Sequence, residues 1–350
     1  MNRQQTSFSC KKNKAAHTFY SIGMRKHSDK KVIYAALIGN SAIAIMKFIV
    51  AAISGSAAML AEGFHSAADS GNQIMLLVGH ARSGKPPDDR HPFGYGKELY
   101  FWAFVVAVSI FFVGAALSIY EGINKLIHPE PVKSIILPLV VLGLAMIFET
   151  YPWWIAFSEA RKIKTGKGFT SFMDMAVRSK NPTVLVVLFE DTAALIGLLV
   201  AAVGITLAYT TKMSIFDAIA SILIGVVLLV LALFLARETK ELLIGESAGR
   251  RDREKISQAI CTMPEISQCG SLLTMHLGPD DILVNIDVEF VDGLSTDELE
   301  AAIDRLESRV KEVVPTATKI YIEAKAVKKK SAIAANQSGR FRDPPSERES

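Results

Sequence analysis

Four polar side chains lie at helical spacing inside one long apolar stretch of the sequence. They are Glu62, His65, Asp69 and Gln73. Positions i, i+3, i+7 and i+11 share one face of an α-helix, so a single polar stripe is predicted. Ionisable groups at bilayer depth cost roughly 2.5–3.5 kcal/mol each on insertion scales, and they usually line a cavity or an ion pathway. His65 and Asp69 present an imidazole and a carboxylate from one surface, which favours binding of a divalent cation.

A pair of acidic residues interrupts another apolar stretch, VLVVLFEDTAALIGLLVAAVGI. Glu190 and Asp191 are its only charged residues, and adjacent positions differ by about 100° around a helix. At least one carboxylate is therefore predicted to face the helix bundle and to add a ligand that Zn²⁺ or a similar ion accepts. In the alternative interpretation, both residues lie near the membrane interface and snorkel or cap a helix.

Three other polar residues are candidates for supporting the site rather than for binding metal directly. Glu62 is predicted to orient the imidazole of His65 or to relay protons. Asn40 and Lys47 lie in the first apolar stretch, where polar groups commonly hydrogen-bond one helix to another. A second interpretation of Lys47 is that it neutralises a carboxylate when no metal is bound.

Hydropathy predicts the elements that position these residues. Half of the chain is hydrophobic, 21% is charged and the mean hydropathy is +0.29. Crossing a bilayer core of about 30 Å takes roughly 20 apolar residues in a helix. Six stretches meet this requirement, which predicts an α-helical polytopic membrane protein. The six predicted spans are residues 32–54, 57–80, 99–121, 134–160, 183–208 and 213–236.

The distribution of basic residues predicts the orientation of these spans. Residues 1–31, 81–98 and 161–180 contain eighteen Lys and Arg residues, whereas the opposite connections contain three. Lys- and Arg-rich loops stay on the cytoplasmic side, so both termini are predicted to lie there. Because the basic residues flank apolar spans instead of forming one patch, no nucleic-acid partner is expected. The plasma membrane or a bacterial inner membrane is the favoured location, with an organelle membrane as the alternative.

After residue 240 the pattern changes to that of a small α+β domain. Its predicted elements are a helix at 252–263, strands at 271–277 and 282–291, a helix that ends near Val313 and a strand at 318–324. Ser295 and Glu298 have the spacing of a capping box that opens the second helix. The order α-β-β-α-β predicts a ferredoxin-like cytoplasmic domain. The predicted domains are a basic, disordered segment at 1–31, six transmembrane helices at 32–240, the α+β domain at 241–326 and a disordered tail at 327–350.

The cysteine content is low and uneven. Cys10, Cys261 and Cys269 are the three cysteines, and none of them forms a CxxC pair. This pattern fits a reduced compartment, and it argues against a disulfide framework and against a thiolate zinc site.

The chain resembles the cation diffusion facilitator family over roughly residues 30–326. The likeness rests on the segment GSAAMLAEGFHSAAD, the loop DDRHPFGYGKELYF, the six spans and the α+β domain that follows them. The stretch SKNPTV…LFEDTAALIG is similar to the branch that contains mammalian zinc transporter nine. The resemblance implies an antiporter, not an enzyme, which exports Zn²⁺ or a related ion in exchange for protons. It further implies a homodimer held by the C-terminal domain, and no cofactor.

In that family two ligands on the second span and two on the fifth span hold the metal. His65 and Asp69 match the first pair. On the fifth span Asp191 is the preferred match because Gly197 follows it by six positions, and Glu190 is the second choice.

The remaining fifth-span position holds Val187, so one family ligand is missing. Water, Glu190 or Glu62 would then complete the shell. Zn²⁺, Mn²⁺, Fe²⁺, Co²⁺ and Cd²⁺ all remain open as the ion, since a more oxygen-rich site also accepts harder ions.

Two cytoplasmic regions carry weaker candidates for further metal binding. In the loop before the third span, Asp88 and His91 match the family pattern, but Tyr95 replaces an expected histidine.

In the C-terminal domain His276 is the single histidine. Asp287 and Glu323 would assist it only if they approach it. A dimerisation domain that is poor in metal is therefore predicted.

The leading functional hypothesis is secondary transport of a divalent cation. Its ligands must lose protons to bind metal, so metal entry is coupled to proton release without ATP. The alternative, motivated by Val187, is a non-transporting family member that acts as a regulatory membrane subunit. An enzyme is disfavoured because no buried Ser or Cys matches His65 and Asp69 as a nucleophile.

Overall fold

The computed structural model describes residues 28–167, 170–171 and 182–325. A helix or a run of helices lies over each predicted span. They are α1 (Ser28–Ser54), α2 (Ala57–Ser83), α3 (Glu98–Ser109), α4 (Leu117–Ile127), α5 (Ile136–Lys167), α6 (Pro182–Thr211) and α7 (Ile215–Ile244). The predicted segment at 1–31 lies outside the described residues except for its last four, which begin α1. The predicted tail at 327–350 lies outside them entirely.

Within the described part of the chain, four helical segments are long and apolar enough to cross a membrane. These are Glu98–Ile127, Ile136–Lys162, Val186–Thr211 and Ile215–Ile244, and Asn40–Ser54 is a shorter apolar helix. The chain is therefore a helical membrane protein with a small C-terminal sheet.

The third predicted span, 99–121, is longer and less regular than expected. α3 passes into a π-helical segment at Ile110–Ala116 and continues as α4. Gly114 in this segment lies against α7, where an added Cβ atom would be 3.1 Å from a methyl carbon of Leu228. Hydropathy does not reveal the wider turn of a π-helix, because every residue of the segment is apolar or glycine.

The chain divides into two compact units. The first contains the described residues up to Ile74, together with Ser109–Thr150 and Thr192–Leu229. The second contains Met75–Val108, the described residues between Tyr151 and Asp191, and those from Val230 onward.

Small residues bring helices of the first unit together. Gly122 of α4 lies against the backbone of Ala218 in α7, where an added Cβ atom would be 2.8 Å from the carbonyl oxygen. One turn further along α7, Ser221 donates a 2.8 Å hydrogen bond to the carbonyl of Ser118. Close backbone approach and interhelical hydrogen bonds are the usual means of association in a bilayer, where the hydrophobic effect between helices is absent.

The second unit contains a three-stranded sheet with two helices packed on one face. Its elements are α8 (Arg250–Cys261), β1 (Ile266–Gly278), β2 (Asp281–Phe290), α9 (Thr296–Val313) and β3 (Ala317–Ala324). The predicted order α-β-β-α-β is confirmed. β2 pairs antiparallel with β1 and parallel with β3. Alternate β2 residues are buried against the helices, as expected for a strand with one covered face; they are Ile282, Val284, Ile286 and Val288.

The capping box predicted for α9 is confirmed. The backbone N–H of Ser295 donates to the Glu298 carboxylate at 2.8 Å, and the Ser295 hydroxyl accepts from the backbone N–H of Glu298 at 3.3 Å. The bond from the Ser295 backbone holds the pKa of the Glu298 carboxyl below its ordinary value.

The expectation that the cysteines form no disulfide is wrong for one pair. Cys261, the last residue of α8, is bonded to Cys269 in β1, and their Cα atoms are 5.9 Å apart. The chain reverses between the helix and the strand, so residues eight positions apart meet. Sequence spacing alone does not reveal that reversal. Cys10 lies outside the described residues.

Candidate metal centre

The predicted polar stripe lies on α2, which is one continuous helix. Glu62 and His65 are buried, and Asp69 and Gln73 are half-buried. The imidazole Nδ1 of His65 is 3.4 Å from the Oδ1 atom of Asp69. This is the contact that i, i+4 spacing on a helix predicts.

The contact assigns different roles to the two ring nitrogens of His65. With hydrogen on Nδ1 facing the Asp69 carboxylate, Nε2 keeps a free lone pair. Nε2 is buried and has no hydrogen-bond partner among the described residues, which is uncommon for a buried polar atom. A carboxylate-oriented imidazole with an open Nε2 is the arrangement in which histidine binds divalent metals. The orienting role of Glu62 stays a prediction.

Glu62 is instead held by a lysine of α1. Lys47 Nζ donates to Glu62 Oε2 at 3.0 Å and to the Ser66 hydroxyl at 2.7 Å. Lys47 is 1% exposed and Glu62 is 0% exposed. This geometry fits both interpretations of Lys47, since its ammonium hydrogen-bonds α1 to α2 and also neutralises the Glu62 carboxylate. Asn40, the third supporting candidate, is half-buried in α1, two turns before Lys47.

The second oxygen of the Glu62 carboxylate faces α6. A Cβ atom added at Gly197 would overlap Glu62 Oε1, so only glycine allows this approach of the two helices. Oε1 itself has no hydrogen-bond partner among the described residues. The glycine that follows Asp191 by six positions therefore lies directly against the polar stripe of α2.

The two acidic residues of α6 differ in burial. Glu190 is 6% exposed, whereas Asp191 is half-buried, and both belong to the second unit. Val187, one turn before Asp191, is also half-buried. Across the described residues, no three His, Cys, Asp or Glu side chains form a ready-made cluster that could hold a metal ion. The preference for Asp191 over Glu190 stays a prediction.

A second buried charged group, which was not predicted, lies at the start of α2. Asp217 of α7 accepts hydrogen bonds from the Ser56 hydroxyl at 2.5 Å and from the Ala57 backbone N–H at 2.7 Å. Lys125 of α4 lies 3.6 Å from the same carboxylate and donates to the carbonyl of Gly55. Asp217 therefore caps the N-terminus of α2 from another helix. Two charged residues in the sequence could have indicated this contact. Asp217 is an acidic residue near the start of the sixth span, and Lys125 was counted among the basic residues of a loop.

The loop before α3 is folded around Asp88. The Tyr95 hydroxyl donates to Asp88 Oδ2 at 2.6 Å, and the backbone N–H groups of Arg90 and His91 donate to Oδ1 at 3.0 and 2.7 Å. These bonds, with that of Tyr95 foremost, hold the pKa of the Asp88 carboxyl below its ordinary value. Tyr95 occupies the position of an expected metal ligand, but here it binds the Asp88 carboxylate.

The three C-terminal candidates do not converge. His276 is buried in β1 opposite Ile282 of β2. Asp287 lies five residues further along β2, about 16 Å away at 3.3 Å per residue, and is in register with Glu323 of β3. Lys325 contacts Glu323 at 2.7 Å and Asp287 at 3.7 Å. The condition under which the two carboxylates would assist His276 is not met, because strand register separates them from it.

Comparison with known proteins identifies relatives that match about two thirds of the chain or slightly less. The proton-coupled zinc antiporter SLC30A9, mitochondrial, of Xenopus laevis is 31% identical over 213 residues, which cover 61% of this chain and 38% of that protein. Metal tolerance protein C4 of Arabidopsis thaliana is 29% identical over 212 residues, which cover 61% of this chain and 46% of that protein. Cation-efflux pump FieF of Citrobacter koseri is 25% identical over 231 residues, which cover 65% of this chain and 69% of that protein. The chain spans less than half the length of the first two relatives.

A family model described as the cation efflux transmembrane domain matches residues 33–244. Members of this family are transporters and not enzymes. The likeness to SLC30A9 supports the branch that contains zinc transporter nine. Because the matched region is more than half of its length, the chain belongs to the cation efflux family, also called the cation diffusion facilitators.

Proposed function

We propose that this chain is a secondary transporter that exports a divalent metal ion in exchange for protons, with Zn²⁺ as its ion. The observation that carries the proposal is the buried His65, whose Nδ1 atom lies 3.4 Å from Asp69 Oδ1 and whose Nε2 atom is open. Imidazole and carboxylate groups suit Zn²⁺. Family membership supports metal transport, and relatives that are named proton-coupled zinc antiporters support the ion and the coupling.

Each candidate residue has a definite role in this mechanism. His65 binds the ion through Nε2, and Asp69 is the second ligand from α2, a carboxylate whose Oδ1 atom lies 3.4 Å from the other ring nitrogen. Asp191, with Glu190 as second choice, is proposed to contribute a carboxylate from α6. Because Nε2 must be free of a proton to bind metal, protons and metal compete for the site and a proton gradient drives export.

The same proposal includes six spans, of which α1 and α2 form the first two. Both termini are placed on the cytoplasmic side by the excess of basic residues in the loops that face it. The chain is an integral membrane protein, and we assign the homodimer contact to the C-terminal domain at 241–326. The plasma membrane or a bacterial inner membrane is the proposed location. The mitochondrial relatives support an organelle membrane as the alternative.

One observation favours a second candidate function, that of a non-transporting membrane subunit. Val187 occupies the position of a family ligand, and the described residues contain no ready-made cluster of three ligands. A chain with this function would bind metal weakly, or bind it without moving it.

Transport by the purified full chain in proteoliposomes tests the proposal. Fluxes of Zn²⁺, Mn²⁺, Fe²⁺, Co²⁺ and Cd²⁺ are measured with and without an imposed proton gradient. We expect Zn²⁺ flux that increases with the gradient and falls by about 10- to 100-fold in His65→Ala and in Asp69→Asn. Asp69→Asn keeps the shape of the side chain and removes its charge.

Asp88→Asn provides a matched control, since it makes the same chemical change in an exposed loop. Near-normal flux in both α2 variants would remove α2 from the mechanism. Metal binding without flux in the unmodified chain would establish the subunit alternative.

A further inference from the structure

We propose that Lys47 determines ion selectivity as a tethered cation, by holding Glu62 away from the transported metal. This inference rests on the proposed function, because it assigns a second layer of residues to the same site. It concerns only groups of the first unit, which contains α1, α2 up to Ile74 and α6 from Thr192 onward.

The packing of α1 on α2 fixes the position of the Lys47 ammonium. Gly63 of α2 lies against the ring of Phe48, where an added Cβ atom would be 2.9 Å from a ring carbon. This close approach brings Lys47 Nζ to Glu62 at 3.0 Å and to Ser66 at 2.7 Å. The ammonium therefore bridges two consecutive turns of α2, the same turns that carry the metal-binding imidazole.

Lys47 uses only one of the two oxygens of Glu62. The other, Oε1, is fully buried against Gly197 and has no hydrogen-bond partner among the described residues. Glu62 precedes His65 by three residues, and Cβ atoms at that spacing are about 5–6 Å apart. A Glu62 carboxylate released from Lys47 would thus be within reach of an ion bound at His65 Nε2.

The charge of Lys47 determines what Glu62 can do. Paired with the ammonium, the carboxylate is neutralised, and a metal ion gains little from it. Unpaired, it would be one more anionic oxygen ligand, which tightens binding and favours harder ions such as Mn²⁺. Lys47 therefore keeps one further oxygen ligand out of the site, and the site stays able to release its ion.

A double-mutant cycle on the full chain tests this assignment, with Zn²⁺ and Mn²⁺ fluxes measured in proteoliposomes. Glu62→Gln leaves a buried ammonium beside the site, so we expect the KM for Zn²⁺ to rise about tenfold or more. Lys47→Met frees the carboxylate, so KM and kcat should both fall about tenfold and Mn²⁺ flux should rise relative to Zn²⁺ flux. Lys47→Met combined with Glu62→Gln replaces the pair by neutral groups of similar size, and KM should return to within about threefold of the unmodified value.

Ser66→Ala is the matched control, since it removes the other bond of Lys47 and leaves both charges. We expect it to change KM less than about threefold. Lys47→Arg keeps the charge, and it should keep the preference for Zn²⁺ over Mn²⁺. If Lys47→Met and Glu62→Gln do not fold as single variants, Lys47→Arg and the double variant test the inference by the same Zn²⁺ and Mn²⁺ flux measurements.

The inference is overturned if both single variants raise KM and the double variant does not recover, because the pair then serves only folding. A tenfold loss of the Zn²⁺ preference in Lys47→Arg overturns it as well. Failure of the proposed function gives a different result, namely no Zn²⁺ flux in the unmodified chain. If the unmodified chain carries Zn²⁺ but the effects of the Lys47 and Glu62 substitutions simply add, the role of Lys47 is refuted and the proposed function is not.

Discussion

At the scale of single residues, the site is a set of buried ionisable groups whose atoms have separate tasks. One ring nitrogen of His65 contacts Asp69, and the other has no partner among the described residues. One oxygen of the Glu62 carboxylate accepts a hydrogen bond from Lys47. Buried charges are stable only when they are paired or bound to metal, so each group limits the protonation and occupancy of its neighbour. In the proposed mechanism, selectivity and coupling follow from these pairings and not from any one ligand.

The two acidic residues of α6 are separable by substitution. We expect Asp191→Asn to weaken Zn²⁺ binding about tenfold more than Glu190→Gln, because the two side chains diverge by about 100° on the helix. Equilibrium Zn²⁺ binding to the purified full chain measures both losses.

Adding the missing ligand checks the same helix register. Val187→His should tighten Zn²⁺ binding at neutral and higher pH. An added imidazole binds metal only when neutral, and its ordinary pKa is about 6.5, so the gain should vanish as the pH falls below that value. Equal losses from Asp191→Asn and Glu190→Gln, with no effect of Val187→His, would show that the assigned register is wrong.

The loop before α3 gives a prediction of pH dependence. In Tyr95→Phe the pKa of the Asp88 carboxyl should rise toward its ordinary value, since its main hydrogen bond is lost. A carboxyl whose folded pKa is depressed stabilises the fold above its unfolded pKa, about 3.9, and loses that effect as pH falls through the folded pKa. Tyr95→Phe should therefore loosen the loop at neutral pH and matter less in acid.

Carbon-13 NMR titration of the Asp88 carboxyl in the full chain measures this shift. Tyr120→Phe is the control, because Tyr120 is an exposed tyrosine of α4. An unchanged Asp88 titration in Tyr95→Phe would show that the hydroxyl does not hold the carboxylate in solution.

Local spacing predicted part of this site, and packing determined the rest. The contact of His65 with Asp69 follows from one helix, so the i, i+4 pattern was sufficient. The Lys47–Glu62 pair depends on how two helices meet, and the sequence left it as one of two interpretations. The spacing of polar and apolar residues does not determine which oxygen of a carboxylate contacts which neighbouring side chain.

At the scale of elements, the N-terminus of α2 is fixed by a different helix. The Asp217 carboxylate accepts from the backbone N–H groups of Ala57 and Ala58, which have no partner within the helix at that end. Lys125 supplies the compensating charge. The helix that carries the polar stripe is thereby anchored to α7 and α4. The sequence does not reveal this anchor, because a charged residue near the end of a span resembles an interfacial one.

Loss of the anchor should destabilise the protein strongly. Asp217→Asn weakens the cap and leaves the Lys125 ammonium buried without its partner charge, so we expect a loss of about 2–5 kcal/mol in free energy of unfolding. Thermal unfolding of the detergent-solubilised full chain measures it. Lys125→Met combined with Asp217→Asn should recover part of the loss. Glu130→Gln, which changes an exposed loop residue, is the control, and an equal effect there would refute the assigned anchor.

At the scale of the whole molecule, the predicted architecture rests on signals of different range. The capping box at Ser295 and the alternation of buried and half-buried residues in β2 depend on local sequence, and both were predicted from it. The disulfide between Cys261 and Cys269 and the separation of His276 from Asp287 depend on chain reversal and strand register. Those properties arise only when the elements pack, so they could not be predicted from residue types.

The C-terminal domain should fold as a separate piece without metal. A fragment of residues 245–326 retains one core, formed by buried side chains of α8, α9 and the sheet. Its candidate ligand His276 is held apart from Asp287 and Glu323, and no described cluster in it could bind an ion. We therefore expect a cooperative unfolding transition by circular dichroism that is unchanged by a chelator or by Zn²⁺. Leu306→Asp, which places a charge in this core, should abolish the transition.

The same fragment should self-associate, since the domain is proposed to hold the dimer. Leu273 is 61% exposed on the sheet, although it is a large apolar side chain. Sedimentation equilibrium should give a dimer for the fragment, and Leu273→Asp should weaken it without changing the unfolding transition if this face is the contact. A fragment that stays unfolded until Zn²⁺ is added would mean that metal, rather than the core, organises the domain. A folded fragment that remains monomeric at high concentration would place the dimer contact among the transmembrane helices instead.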